Sequence, residues 1–312
     1  MSAVTRTEVV RPGMCGHNAL FAGQIGDWTW DEVGRACGVD VLTARNPAGD
    51  PTYLSFYYYR VRGSRLFHLR TPTFGDRLDV ASRVFGFGSE SVLTVHRISP
   101  AGAAIDEPVD ADTFYGFADE RCLYVENFNR WVSRSAAHSN QDLVRSAPAG
   151  FRHEHLPALS EGYSPRLACH RARTALTFRD PETEPATAVG EPLVVDYEVD
   201  PSRDLNGAGL LYFASYFSIV DWTLLRLWRQ SGRDDRSFLD RVVVDQQLCY
   251  LGNADAGTVL TATAQRWQPA HREPAGPAGP AGPAEIIDVV LRERATDRLI
   301  AVCTLRLLGE TG

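Results

Sequence analysis

Lysine is absent from the 312 residues, so all 32 cationic side chains are arginine. That bias fits a GC-rich genome, and each guanidinium still offers a planar fork for phosphate or carboxylate. A basic excess is missing too: the formal net charge of −7 argues against nucleic-acid binding, which calls for a basic face. No run of about 18 apolar residues occurs, the length a membrane helix needs. The opening residues, MSAVTRTEVVRPG, hold no apolar signal segment. The six cysteines, at 15, 37, 122, 169, 249 and 303, form no C-x-x-C pair. That scatter gives neither a zinc signature nor a disulfide framework, and the expectation is reduced thiols in a cytoplasmic protein.

What is present begins with an internal echo. Residues 25–38 read IGDWTWDEVGRACG and residues 219–232 read IVDWTLLRLWRQSG. Without a gap they share Ile, Asp-Trp-Thr, an Arg and the closing Gly, and Trp occurs only 6 times in the chain. The match points to a repeated fold unit. In the second copy, GAGLLYFASYFSIVDWTLLRLW (207–228) is apolar almost all round, the mark of a helix buried on every side. Asp204 or Asn206 is suited to cap its first turn, and Gly232 to stop it. Around it, β-rich runs occur at 192–199, 241–251, 257–267, 285–293 and 298–308. In the first copy a shorter helix at 28–37 carries Trp30, Val33 and Cys37 on one side. Strands are expected near 53–62, 65–71, 77–86, 90–98 and 112–118.

One helix per half with a run of strands joined by short turns predicts an α+β fold, with an antiparallel sheet wrapped around a helix in each half. That arrangement is the hot-dog fold, here doubled: two sheets, each around a central helix. The units span 1–150 and 151–312 and meet in the irregular stretch 120–190. The Pro-Ala-Gly segment 273–285 reads as a long, mobile surface loop between two strands.

Hot-dog proteins handle acyl thioesters, so the fold by analogy suggests a coenzyme A or carrier-protein substrate. A helix N-terminus offers free N–H groups to the oxyanion of a thioester carbonyl. Side chains must then discriminate among reactions. A dehydratase would pair H-x-x-x-G-x-x-x-x-P with D-x-x-x-Q/H. His17 is followed by NALFAG and Asp221 by WTLL, so neither half fits. A thioesterase would want a carboxylate at the helix start; Asp204 qualifies, and a capping role explains it equally well. HEH at 153–155 with His170 lies in an irregular, charged segment, and no metal is expected.

Five stretches, VVRPGMCGHNALFAGQIGDWTW, YLSFYYYRVRG, FGDRLDVASRVFGFGSESVLTVHRI, NFNRWVSRSAAHSNQDL and DLNGAGLLYFASYFSIVDW, together resemble the bifunctional methylmalonyl-CoA acyltransferase/decarboxylase family of the leinamycin polyketide pathway. The resemblance runs along nearly the whole chain. It implies a double hot-dog homodimer that decarboxylates methylmalonyl-CoA and delivers propionyl to an acyl carrier protein. Coenzyme A enters as part of the substrate, no separate cofactor is implied, and neither nucleic acid nor a membrane is a partner. It also implies an active-site tyrosine on the strand at 53–62.

That strand holds Tyr57, Tyr58 and Tyr59. Strict alternation puts Leu54, Phe56 and Tyr58 on one face and Ser55, Tyr57 and Tyr59 on the other. The Leu/Phe face suits the helix, making Tyr58 core and turning Tyr57 and Tyr59 toward a ligand. Tyr57, beside the small Ser55, is the favoured catalytic residue, with Tyr59 second. Asn206 and Gly207 are expected to hold the enolate oxygen at the helix entry, while Tyr212 and Phe213 line an apolar pocket that favours loss of CO2. Asp204, His96 and Gln247 complete the substrate-binding candidates. Asn129 and Asn140 are further possible partners of a pantetheine amide, and arginines at the tunnel mouth are expected to bind the coenzyme A phosphates. A hydrolytic thioesterase and a non-catalytic acyl-carrier-binding protein are the competing readings.

Overall fold

A computed structural model describes residues 4–16, 19–103, 109–136, 139–270 and 283–309. In chain order the elements are β1 (Val4–Val9), α1 (Leu20–Cys37), β2 (Tyr53–Arg62), β3 (Arg77–Gly86), β4 (Ser91–Pro100), α2 (Ala111–Gly116), β5 (Leu123–Arg134) and β6 (Leu143–Arg145). There follow α3 (Arg166–Ala175), β7 (Ala186–Glu198), α4 (Phe213–Gln230), α5 (Asp235–Asp240), β8 (Val243–Tyr250), β9 (Val259–Pro269), β10 (Glu285–Glu293) and β11 (Leu299–Leu307).

The two Asp-Trp-Thr segments fold alike. Each lies in an 18-residue helix. Thr29 and Thr223 are fully buried, and each donates its hydroxyl to the carbonyl one turn back, Ile25 at 3.0 Å and Ile219 at 2.8 Å. Gly38 and Gly232 follow the two helix ends at φ 67° and 74°, the left-handed region that glycine adopts without a Cβ clash. α1 packs on β3 and β4, α4 on β7 and β9, and the helices touch each other.

Two expectations about the sheet are corrected. Among the described residues the strands form a single 11-stranded antiparallel sheet, in the order β1-β3-β4-β5-β2-β8-β11-β10-β9-β7 with β6 on β5, rather than two sheets. β2 pairs with β8, Tyr58 opposite Cys249 and Arg62 opposite Asp245. The join removes two sheet edges that would otherwise present unpaired backbone. On the sheet face away from the helices, Arg60 grips Asp245 with two N–H groups at 3.2 and 2.6 Å. Second, 120–190 is not simply irregular: β5 occupies its first part and lies inside the sheet between β4 and β2. Its sequence LYVENFNRWVSR breaks the apolar alternation because both of its faces are buried; Glu126 and Asn127 find partners there, whereas the buried Asn129 amide makes no hydrogen bond among the described residues. Asn127 donates to Thr29 Oγ1 at 2.6 Å, and Glu126 accepts from Tyr115 at 2.8 Å.

Smaller differences follow from local chemistry. The run 112–118 forms α2, capped by Asp110 accepting from the Thr113 N–H at 2.9 Å. Residues 65–71 form turns rather than a strand, and α1 begins at Leu20, well before 28. α4 begins at Phe213, so neither Asp204 nor Asn206 caps it. The Pro-Ala-Gly segment falls largely outside the described residues, but the strands flanking it, β9 and β10, are antiparallel neighbours. No helix among the described residues is long and apolar enough to cross a membrane.

Candidate functional site

The alternation expected along β2 fails at the tyrosines. Phe56 pairs with Asn129 of β5 and Tyr58 with the preceding Phe128, leaving Tyr57 as the extra residue of a β-bulge. The correction is that Tyr59, not Tyr58, joins Phe56 on the helix face. Tyr59 is fully buried; its hydroxyl donates to the Ala22 carbonyl at 3.1 Å and its ring stacks on Phe213 at 6.3 Å. Tyr58 turns to the opposite face, where Gln247 Nε2 donates to its hydroxyl at 3.0 Å. Burial raises the pKa of both phenols well above the usual value.

Tyr57, held at the bulge, is half-buried and lines two openings. The first is a cavity of about 220 Å³ with Arg130, Arg145 and Tyr216 in its wall. The second is a groove of about 170 Å³ with Arg130, Arg166, His170 and Arg173. Arg173 donates to the Tyr57 oxygen at 2.7 Å and the Arg130 guanidinium lies 3.8 Å over its ring. Burial raises the Tyr57 pKa, and the two arginines oppose that shift only in part. The group therefore remains a neutral phenol near pH 7.

A third space of about 340 Å³ adjoins the first, sharing Ser55, Phe56, Leu211, Phe213 and Asn253 as a wall. Its other side carries Asp27, Asn206, Gly207 and Tyr212. The wall is built tightly. The Phe56 and Phe213 rings lie 4.1 Å apart, and Asn253 both accepts from the Leu211 N–H at 3.0 Å and donates to its carbonyl at 3.1 Å. Asn140 donates to the Gly209 carbonyl at 2.7 Å and so pins the same loop. Gly26 of α1 has its place for one reason: a methyl group there would run into the Phe213 ring.

Six of the expected site residues thus gather at these spaces: Ser55, Tyr57, Asn206, Gly207, Tyr212 and Phe213. Asn206 shapes its own loop, accepting from the Ala208 and Leu210 N–H groups at 3.0 and 3.1 Å. Tyr212 has its pKa pushed up to about 12 by burial and then by Asp27. Four candidates lie elsewhere. Tyr59 is sealed between the helices. Asp204 is buried and spent on Tyr197 and the Asp200 N–H, both at 2.8 Å. Gln247 bridges Tyr58 and Arg306. His96 is held at Thr29 and Ser82, 2.9 and 2.7 Å away, and burial with Arg6 pulls its pKa down to about 3. At 153–155, His155 donates to the Ala36 carbonyl at 2.9 Å, and no metal-holding cluster occurs among the described residues.

Sequence reasoning missed Asp27, Arg130, Arg145, Arg166 and Arg173. Asp27 lay in plain view inside the repeat; burial and then Asp31 raise its pKa. The arginines carried a weaker signal, the cluster RLACHRAR at 166–173 with no acidic neighbour in it.

The family model of the LnmK N-terminal hot dog fold domain matches residues 5–181, more than half of the chain. Among solved structures, the 12:0-ACP thioesterase from Umbellularia californica is similar over 99% of this chain and 98% of its own, at 10% identity and TM-score 0.57. An acyl-ACP thioesterase from Bacteroides thetaiotaomicron is similar over 98% and 97%, at 7% identity and TM-score 0.53. At such identities the likeness speaks for the hot-dog fold alone. No curated protein matches in sequence.

Proposed function

The chain belongs to the LnmK hot-dog family, and on that premise we propose that it is an enzyme acting on acyl thioesters, with Tyr57 as its reacting side chain. In the finer reading two hot-dog units, 1–150 and 151–312, are fused into one sheet and pair as a homodimer. The enzyme takes methylmalonyl-CoA, releases CO2 and delivers propionyl to an acyl carrier protein. The observation that carries this reading is the Tyr57 phenol, neutral, set at a bulge between two openings, its oxygen accepting from Arg173. Because that oxygen accepts, its own proton is left for a substrate.

The chemistry balances with these groups. Breaking the bond between C2 and the carboxylate leaves an electron pair that becomes the enolate of the thioester. The first-turn amide of α4 at Phe213, which lines both spaces, is a donor suited to its oxygen, such a donor being worth about 10²–10³ in rate. It replaces the expected pair at Asn206 and Gly207, which precede the helix. Apolar walls from Phe56, Leu211 and Phe213 disfavour the substrate carboxylate and favour neutral CO2. Tyr57 then protonates the enolate carbon. Transfer is thioester exchange: the carrier thiol returns a proton to the Tyr57 phenolate, its sulfur forms the new C–S bond as that to coenzyme A breaks, and coenzyme A leaves as a thiolate that takes a proton from water. No resident cofactor takes part in this scheme.

One observation favours a second reading. Asp27, at the larger space beside Tyr212, is a carboxylate able to activate water, as a thioesterase requires. Incubation with methylmalonyl-CoA, with and without an acyl carrier protein, separates the readings by product mass. Propionyl on the carrier supports the transferase, free acid supports the hydrolase, and untouched substrate leaves a binding protein.

A further inference from the structure

The half-buried arginines of this molecule mostly face carboxylates: Arg60 meets Asp245, Arg306 meets Glu184, and Arg298 meets Glu293. The arginines beside Tyr57, Arg130 half-buried and Arg145, Arg166 and Arg173 exposed, have no such partner. Arg130, Arg145, Arg166 and Arg173 enter no ion pair among the described residues, and no Asp or Glu lines either opening they share. They are nevertheless held in place. Arg130 lies over Tyr57, Arg166 lies 4.8 Å over Phe87, and Arg173 is tied to the Tyr57 oxygen. Burial lowers the pKa of Arg130, a strain that a bound anion relieves.

We propose that the groove of Arg130, Arg166 and Arg173 is a phosphate subsite, built for the 4′-phosphate of a pantetheine arm whose thioester end passes Tyr57 into the adjoining cavity. Tyr57 and Arg130 line both spaces, so a ligand extending from one to the other must pass them. Guanidinium forks suit phosphate oxygens, and with three of them around one groove the anion is held from several sides. This assignment rests on the acyl-thioester reading above. The phosphate occurs both in free coenzyme A and on a loaded carrier protein, and either source presents the same group.

The test compares 4′-phosphopantetheine with pantetheine by isothermal titration calorimetry. The wild-type protein is expected to bind the phosphorylated compound at least about tenfold more tightly, the worth of one charge-assisted hydrogen bond. That preference should fall as salt is raised, and should vanish in Arg166→Gln and reverse in Arg166→Glu, with melting temperatures unchanged. Coenzyme A and a holo carrier protein, run side by side, then show which source the groove accepts. Equal binding of the two compounds by the wild type, or a preference that survives Arg166→Glu, overturns the subsite. If methylmalonyl-CoA is turned over while both compounds bind equally, the function stands and the subsite falls. Selective binding with every acyl thioester left intact sinks the function and keeps the subsite.

Discussion

Asp27 and Asp221 hold the same place in the two copies of the Asp-Trp-Thr segment and do different things. Asp221 is spent on structure: Arg241, its side chain 2% exposed, donates to it at 2.6 Å. Asp27 instead faces the larger space beside Tyr212. The neighbouring position diverges in the same sense. Gly26 leaves room for the Phe213 ring, where the second copy has the fully buried Val220. The threonines diverge as well: both bond one turn back, but Thr29 also meets His96. The repeated segment keeps its backbone frame at Thr and at the closing Gly, and changes at the side chains beside them. Both helices reach the openings, α1 through Asp27 and Trp30 and α4 through Phe213 and Tyr216, but only the first copy presents its aspartate there.

The largest effect expected from that asymmetry is a sensitivity to acid confined to the first unit. His96 is buried neutral, its pKa drawn down to about 3, whereas the unfolded chain titrates near the ordinary value of about 6.5. Between these values the unfolded state binds the extra proton, so the contribution of His96 to stability is full above pH 6.5 and falls with acidification, by about 1.4 kcal/mol per pH unit. Urea unfolding of the wild type and of His96→Gln from pH 7 to pH 4 should differ in slope by this amount, because the contributions of His68, drawn down to about 4 by burial, and of Glu126, pushed up to about 7 by burial, are common to both. Equal slopes in the two proteins would mean that His96 is not the sensor.

Next come the aspartates. Asp221→Asn removes the partner of a buried guanidinium and should cost about 2–3 kcal/mol, less than a fully buried pair because Asp221 is itself partly exposed. Asp27→Asn should stay within about 0.5 kcal/mol. A comparable loss in both would contradict the division of labour. Gly26→Ala and Val220→Ala form a matched pair of opposite size change. The first forces the Phe213 ring to move, at about 1–3 kcal/mol, and should distort both cavities. The second leaves a void of similar cost and should spare them.

How much of this was legible in the sequence depends on what each feature answers to. The two helices declared themselves through Trp28, Thr29, Trp222 and Thr223, because a helix carries its own hydrogen bonds and its burial shows as an apolar run. The hot-dog class followed, and the family resemblance agreed with it. β5 was hidden, because Glu126, Asn127, Asn129 and Arg130 read as a polar loop, and only tertiary structure brings Tyr115 to Glu126, Thr29 to Asn127 and Tyr57 to Arg130. The bulge at Tyr57 was equally invisible. It is a property of the register between β2 and β5, and one extra residue on one strand sends every later side chain to the other face. The arginine groove was hidden for a similar reason, since whether an arginine has a carboxylate partner is settled only by tertiary structure.

The smallest effect tests the bulge itself, at the residue where the two helices meet. Tyr59 reaches α1 through its hydroxyl on Ala22 and α4 through its ring against Phe213 and Phe217. Tyr59→Phe keeps the ring and loses one buried hydrogen bond, so stability should drop by about 1 kcal/mol with turnover retained. Tyr57→Phe should do the reverse, because Tyr57 is half-buried and its hydroxyl meets only the exposed Arg173: stability within about 0.5 kcal/mol and propionyl transfer lost. Strict alternation would put both hydroxyls on one face and give the two variants like effects. Opposite outcomes, read by thermal melting and by product mass, are what the inserted residue demands, since it is the bulge that gives one phenol to the core and the other to the two openings.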